Sequence, residues 1–315
     1  MDISIIIALY NTEKYIEKCI QSVLDCPLAH SAYEIIVIND GSTDRSKLIV
    51  EQIISSNPEA PIKLINKENG GQSTARNIGF NMARGEYIFC LDSDDFLNGK
   101  EFKNALDYAI SNNLDMLPIH YTTLNESHEL VAQKSDNYET ISEPITGGEF
   151  MNTFAVSGTM WRYFYKTKII KEYNLKLIEG IYHEDEEFVL KYLCFVKKIL
   201  YKRHKVYNYI IRSNSTINNK DSKHKRKLLQ DLIVVIDSLS NLIINVDSSL
   251  IKKGLEKKRQ QLILSIIISL YTDKIDKKTS AEIIYHLRAR NYLPIKLKYL
   301  KMSHKMTGIL INLYY

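Results

Sequence analysis

Four times in its first 120 residues the chain passes from a short apolar run into a helical repeat, and this alternation constrains the fold more than any other feature. The pairs are Ile3 to Ala8 then Glu13 to Leu24, Glu34 to Ile38 then Asp44 to Ile54, Ile62 to Ile65 then Ser73 to Ala83, and Tyr87 to Leu91 then Lys100 to Ser111. Strands separated by helix-length crossovers pair in parallel, so the expected class is α/β, a mostly parallel sheet with helices on both faces. Such sheets bind ligands beyond the carboxyl ends of their strands. Four polar segments lie there: Tyr10-Asn11-Thr12, Asn39-Asp40-Gly41-Ser42, Glu68-Asn69-Gly70-Gly71-Gln72 and Asp92-Ser93-Asp94-Asp95.

Further along, residues 121 to 150 carry no periodic pattern and read as a long irregular connection containing Pro144 and Gly147-Gly148. A mixed region follows, with Trp161 to Tyr165, a helix near Asp185 to Val196 and a Tyr-rich alternating strand from Leu200 to Ile211. From Lys223 onward the pattern is helical only, with Leu229, Leu232, Val235, Ile236 and Leu239 at helical spacing and similar stripes through Ile263 to Leu270, Ile283 to Leu287 and Ile309 to Leu313. The expected organisation is an α/β unit over 1–222 and a basic, amphipathic, all-helical region over 223–315.

Charge divides the chain in the same way. Residues 1 to 195 hold 17 Lys and Arg against 29 Asp and Glu, and the remainder holds 25 against 8. A basic helical end implies an anionic partner. With 45% hydrophobic residues the chain is not of the disordered class. Cys19, Cys26, Cys90 and Cys194 lack zinc-site spacing and are expected to be spectator thiols. The run Gln260 to Thr272 falls short of the roughly 20 residues needed to span a bilayer. Met1 leads directly into a strand without a basic n-region, so a cytoplasmic protein is expected.

Three carboxylates within four residues, Asp92, Asp94 and Asp95, repel one another unless a cation sits among them. Mg²⁺ or Mn²⁺ takes one or two carboxylates and completes its shell with water and phosphate oxygens, so the turn could hold a nucleoside diphosphate. It could equally cap the helix that begins near Lys100. Asp40, at a strand end, can accept a hydrogen bond from a base N–H or simply close a turn. Arg76, just inside a helix after Gly70-Gly71, suits a phosphate. The row His183-Glu184-Asp185-Glu186-Glu187 is either an ordinary acidic helix start or the source of a general base whose pKa a neighbouring acid raises.

Taken in order, SIIIALYN, EIIVINDGSTDRS, NGGQSTARNIGF, GEYIFCLDSDD, HEDEEF and RSNST resemble the family 2 inverting glycosyltransferases of GT-A fold, especially bacterial capsule and O-antigen enzymes, over about residues 1 to 215. The resemblance implies a UDP-sugar donor and Mn²⁺ or Mg²⁺. It further implies Tyr10, Asn11 and Glu13 beside the nucleoside, Asp40 on the uracil N3–H, Arg76 by the nucleotide and Asp92 near the ribose or metal. Asp94 would be the direct metal ligand, Asp95 would face the donor sugar, and Arg212 with Ser213 would cover the diphosphate. Asp185 would be the catalytic base, supported by Glu184, and Trp161 would stand near the acceptor. Ala8 replaces a common family Pro, and the Q-x-x-R-W signature of processive synthases is absent.

The function implied is transfer of one hexose or N-acetylhexosamine, with inversion, to a glycan acceptor carried on a lipid diphosphate. Lys252, Lys253, Lys257, Lys258 and Arg259 would place the chain peripherally on the inner leaflet, or else form a face packed on the catalytic unit. No aromatic-basic motif suggests a nucleic-acid partner. Two competing readings are a sugar nucleotidyltransferase and a catalytically silent nucleotide-sugar-binding protein at the membrane.

Overall fold

A computed structural model describes residues 1–132, 140–212, 221–272, 275–300, 304–305, 307–309 and 311. The first half follows the alternation read from sequence. It runs β1 Ile3–Leu9, α1 Ile16–Leu24, β2 Tyr33–Asp40, α2 Ser46–Ser56, β3 Ile62–Lys67, α3 Gln72–Met82, β4 Tyr87–Asp92, a short β5 Phe96–Leu97, and α4 Gly99–Ser111. Next come β6 Met116–Pro118, β7 His120–Leu124, β8 Leu130–Ala132, β9 Ile141–Ile145, α5 Gly147–Thr153, β10 Tyr163–Lys166, α6 Thr167–Glu172, α7 Glu184–Leu193, β11 Ile199–Tyr201 and β12 Lys205–Ile210. Three long helices follow, α8 Ser222–Asn245, α9 Ser249–Thr272 and α10 Lys277–Ala289, and a single tight turn of helix at Leu297–Tyr299 comes after them.

The main sheet has eight strands in the order β3-β2-β1-β4-β10-β6-β11-β9. β1 pairs in parallel with both β2 and β4, while β10 runs antiparallel to β4 and β6. β1 and β2 are buried almost without interruption, as central strands covered on both faces must be. β3, at the edge, is half-buried along most of its length and carries Lys63 and Lys67, charges that discourage edge-to-edge pairing. A smaller sheet, β5-β12-β7-β8, lies beside the carboxyl end of β4.

Residues 121 to 150 correct the irregular reading. They hold the rest of β7, β8, β9 and the start of α5, whose Thr146 and Glu149 form a capping box. The strands are three to five residues long, with β7 reading HYTTL and β9 ISEPI, too short and too mixed to show a period. Their register comes from pairing with β12 and β11 instead. The Tyr-rich stretch is likewise two strands, β11 and β12, belonging to different sheets. Cys19, Cys26, Cys90 and Cys194 are all free thiols, as expected.

The helical end does not stand apart. Leu229, Leu232, Val235, Ile236 and Leu239 of α8, with Leu255, Ile263 and Ile267 of α9, join one continuous core with Phe188, Tyr192 and Leu193 of α7 and Phe150 of α5. Gly148 and Gly254 lie where α5 and α9 meet side to side. α8 is long and apolar enough, by length and composition, to cross a membrane, yet its apolar stripe is spent on this shared core.

The cation cluster read as a membrane contact is largely consumed in the same way. Lys257 donates to Asn152 O, Lys258 pairs with Glu186, and Arg259 pairs with Glu256 and donates to Ser240 Oγ. Lys257 and Lys258 fasten α9 to α5 and α7 and Arg259 fastens it to α8, so these three cations fit the alternative of a packed face. The stripe at Ile309 to Leu313 falls mostly outside the described residues.

Because the helices share their core with the α/β unit, removing a side chain from α8 should weaken the whole molecule. Leu239 is fully buried there. Leu239→Ala is expected to cost about 2–5 kcal/mol and to lower one cooperative transition, followed by thermal denaturation with near- and far-UV dichroism. Two separated transitions would contradict the shared core.

Candidate active site

Three loops at the carboxyl ends of β1, β2 and β3 are stitched together by their own polar groups. Asn11, at φ +50°, accepts from Thr43 N at 2.8 Å, and its own N–H donates to Ser42 Oγ at 3.2 Å. Glu13 accepts from Arg45 N at 2.9 Å and donates its N–H to Asp44 at 3.1 Å. Asn11 and Glu13 therefore act as ties between loops. Tyr10 is the member of this segment that stands open, 48% exposed.

Asp40 closes the second stitch. Its carboxylate accepts from the backbone N–H groups of Gly70 at 2.9 Å and Gly71 at 2.8 Å, from Asn69 Nδ2 at 3.2 Å, and from Lys67. Gly41 makes the approach possible, since at φ +73° a Cβ there would meet Asn69 N at 2.8 Å. With four donors already on two oxygens and only 2% exposure, Asp40 is not presented to a base N–H in this conformation. Of the two readings of Asp40 offered by the sequence, closing a turn is the one this conformation displays. Contact with uracil would require Lys67 or Asn69 to turn away.

The acidic turn after β4 brings Asp92, Asp94 and Asp95 within 4.8 Å of one another. Their environments differ. Asp95 is 2% exposed and accepts from Tyr207 Oη at 2.8 Å and from Ile210 N at 2.7 Å, so it anchors β12 to the turn. Its predicted place beside the donor sugar is corrected accordingly. Burial, and then Asp94 and Asp92, hold its pKa well above the carboxylate range. Asp94 is raised by burial and by Asp92, opposed by Arg212, with which it forms an ion pair. The Arg212 guanidinium lies 5.6 Å from the centre of the Tyr15 ring. Ser213 lies outside the described residues.

Arg76 joins the two acidic regions. The side chain is buried in α3 and donates to Asp92 Oδ1 at 2.7 Å, with its other terminal nitrogen 3.6 Å from Glu184 Oε1. Burial alone would lower its pKa, but Asp92, Glu184 and Asp185 around it keep it firmly charged. Gln72, in the first turn of α3, donates to Glu184 at 2.6 Å. Asp185 follows at the start of α7, where its Oδ1 accepts the Glu186 N–H at 2.8 Å. Burial and the adjacent Glu184 raise Asp185 to about 7, with Arg76 opposing. Arg76 thus ties the hard-oxygen pair Asp92 and Asp94 to the head of α7, where Asp185 is poised to exchange a proton near neutrality.

Sequence reasoning missed Gln72, Tyr207 and Lys67 as members of this region. The first follows from its place at the head of α3, and the second from the inward alternation of the Tyr-rich strand. Trp161 takes the place of a core aromatic. Its ring is 8% exposed and stacks on Tyr207 at 4.3 Å and Tyr209 at 5.8 Å, so it backs the acidic turn from within the core. The donor set fits Mn²⁺ or Mg²⁺, whose hard cations prefer carboxylate oxygens, with Asp92 and Asp94 as the ligands.

Residues 4–167 match the family model described as Glycosyl transferase family 2. The uncharacterised glycosyltransferase EpsJ of Bacillus subtilis is 33% identical over 60% of this chain and 55% of its own length. The glycosyltransferase GlyA of Streptococcus pneumoniae is 27% identical over 92% of this chain and 41% of its own. The chain thus spans only about half the length of these relatives. Among solved structures, residues 1–349 of Staphylococcus aureus TarS with UDP-GlcNAc superpose with a TM-score of 0.77 at 20% identity, covering 99% of this chain and 89% of that one, which shows the fold.

The elevated pKa of Asp185 has a consequence for stability. The unfolded chain loses this proton near pH ~4, whereas the folded chain keeps it to about pH 7. The stabilising proton uptake is therefore complete below ~4 and disappears as pH rises to about 7. Asp185→Asn, neutral throughout, should melt increasingly above the wild type as pH goes from 5 to 8. Parallel or converging melting temperatures across that range would contradict the elevated pKa.

Proposed function

The chain belongs to glycosyl transferase family 2, and from that premise we propose that it transfers a hexose or N-acetylhexosamine from a UDP-sugar to a glycan acceptor in bacterial surface-polysaccharide synthesis, inverting the anomeric centre. One observation carries the reading: the Arg76 guanidinium lies between Asp92 and Glu184, which links the acidic turn after β4 to the acids at the head of α7. UDP as the leaving nucleotide is supported by the fold shared with the UDP-GlcNAc complex of TarS.

Asp94 and Asp92 would hold Mn²⁺ or Mg²⁺, and a divalent cation there supplies charge neutralisation for a diphosphate. Arg212 contributes a fixed positive charge at the same edge, and Tyr10 offers an exposed ring to the nucleoside. Asp185 takes the proton from the acceptor hydroxyl as that oxygen attacks the anomeric carbon from the face opposite the departing nucleotide. Burial raises the Glu184 carboxyl while Arg76 and Gln72 oppose, and the proximity of Glu184 in turn raises Asp185. Backside attack converts an α-linked donor into a β-glycoside.

A lipid diphosphate-linked acceptor and peripheral contact with the cytoplasmic leaflet remain part of this proposal. They are supported by the surplus of cations after residue 195. Lys257, Lys258 and Arg259, engaged within the protein, have no part in that contact.

Turnover of a panel of UDP-sugars with manganese should release UDP, whereas pyrophosphate release from a nucleoside triphosphate would favour a nucleotidyltransferase. Asp185→Asn is expected to lower kcat by about 10²–10⁴-fold and to leave UDP affinity nearly unchanged. The pH profile of wild-type kcat/KM should rise through about 7 as Asp185 loses its proton. Asp94→Ala should weaken UDP binding in the presence of manganese, measured by calorimetry, while metal-free binding changes little. Full activity in Asp185→Asn would remove this base.

A further inference from the structure

Asp231 sits on the buried stripe of α8 between Leu229 and Leu232, only 4% exposed. A carboxylate among apolar side chains is tolerated only when its partners are fixed. Here they are: its Oδ2 accepts the Tyr182 N–H at 2.8 Å, and Lys227, one turn earlier, reaches its two oxygens at 2.5 and 2.7 Å. The same Lys227 Nζ donates to Gly180 O at 3.0 Å. Two charged side chains of the helical end thus grip the backbone of Gly180 to Tyr182, immediately ahead of α7 and its acids.

That loop is held at both ends and would otherwise have alternatives. Gly180 at φ +76° and His183 at φ +64° are both left-handed, the second without the freedom of glycine. Upstream, Asn77 of α3 bonds Leu177 N at 2.9 Å and Glu179 at 3.0 Å. Downstream of the acids, Ser238 of α8 donates to Glu187 at 2.6 Å and Lys258 of α9 pairs with Glu186. His224 adds an edge-on ring contact to Tyr182, with centroids 5.0 Å apart. Each of these contacts from α8 and α9 falls within four residues of Glu184 or Asp185.

We propose that Asp231 and Lys227 form a positioning pair for glycosyl transfer, through which the helical end sets the orientation of Glu184 and Asp185. The inference rests on the reading of Asp185 as the proton acceptor. The bond to Tyr182 N–H selects the one loop conformation in which α7 begins at His183, with Glu184 turned inward to Arg76 and Gln72 and Asp185 next to it. Without that bond the two left-handed residues can relax, and a shift of about 1 Å in a reacting group can cost about 10²-fold in rate. Tyr10, Asp94 and Arg212 stand on other loops, so donor binding should be spared.

The test compares the full-length wild type with Asp231→Ala, Asp231→Asn and Lys227→Met. It reads kcat, donor KM and amide hydrogen exchange over residues 178–190. Asp231→Ala is expected to lose about 10–100-fold in kcat with donor KM within about twofold, and to expose the Tyr182 to Glu184 amides while β1 to β4 stay protected. Asp231→Asn, whose amide oxygen still accepts from Tyr182, should recover most of the rate. Unchanged exchange at Tyr182, unchanged kcat, or a donor KM that worsens in step with kcat would each overturn the proposal. If Asp231→Ala does not fold, Lys227→Met decides by the same two readings, since that lysine is about half exposed. A wild type that turns over no donor would count against glycosyl transfer itself, and the exchange comparison would still decide whether the grip exists.

Discussion

The structure turns on one buried guanidinium. A cation as enclosed as Arg76 is stable only where carboxylates meet it, and here they arrive from β4 on one side and from the head of α7 on the other. Because the guanidinium is planar and rigid, it fixes the direction as well as the distance of its partners. Two parts of the chain far apart in sequence are thereby oriented against each other. Burial does the rest: it raises Asp94 and Asp185 and leaves Glu184, bonded to Gln72 and facing Arg76, as the field in which Asp185 titrates.

Around this centre the polar residues divide into those that build and those that face the crevice. Asn11, Glu13, Asp40 and Asp95 have their hydrogen-bonding capacity engaged by neighbouring loops. Such groups make the rim rigid, and rigidity is what lets Asp92, Asp94 and Asp185 hold their geometry without a bound ligand. A polar residue at a strand end is therefore not by itself a ligand contact. What separates the two kinds is whether the lone pairs are already taken.

Much of this was legible in the sequence. Apolar runs as continuous as IIVI in β2 point to a buried central strand, and the mostly parallel sheet followed from their alternation with helices. The acids at 92, 94, 184 and 185 were visible because like charges that close together need a reason. The short strands were not visible, since β7 and β9 owe their place to β12 and β11, distant in sequence, and β8 to β7 alone. The engagement of Asp40, Asp95 and Trp161 was hidden for a related reason. Their residue types announced chemistry, but saturation by Lys67, Tyr207 and the tyrosine stack is a property of the folded neighbourhood alone.

The continuity of the core across α5, α7, α8 and α9 reaches beyond stability. An engineer wishing to exchange specificity between relatives would ordinarily cut after the last strand and graft the nucleotide-binding half onto a new tail. In this architecture such a seam would slice through packed leucines and isoleucines. Chimeras should therefore inherit the terminal helices along with the crevice, and lineages that recombine these enzymes would be expected to move both pieces as one heritable block.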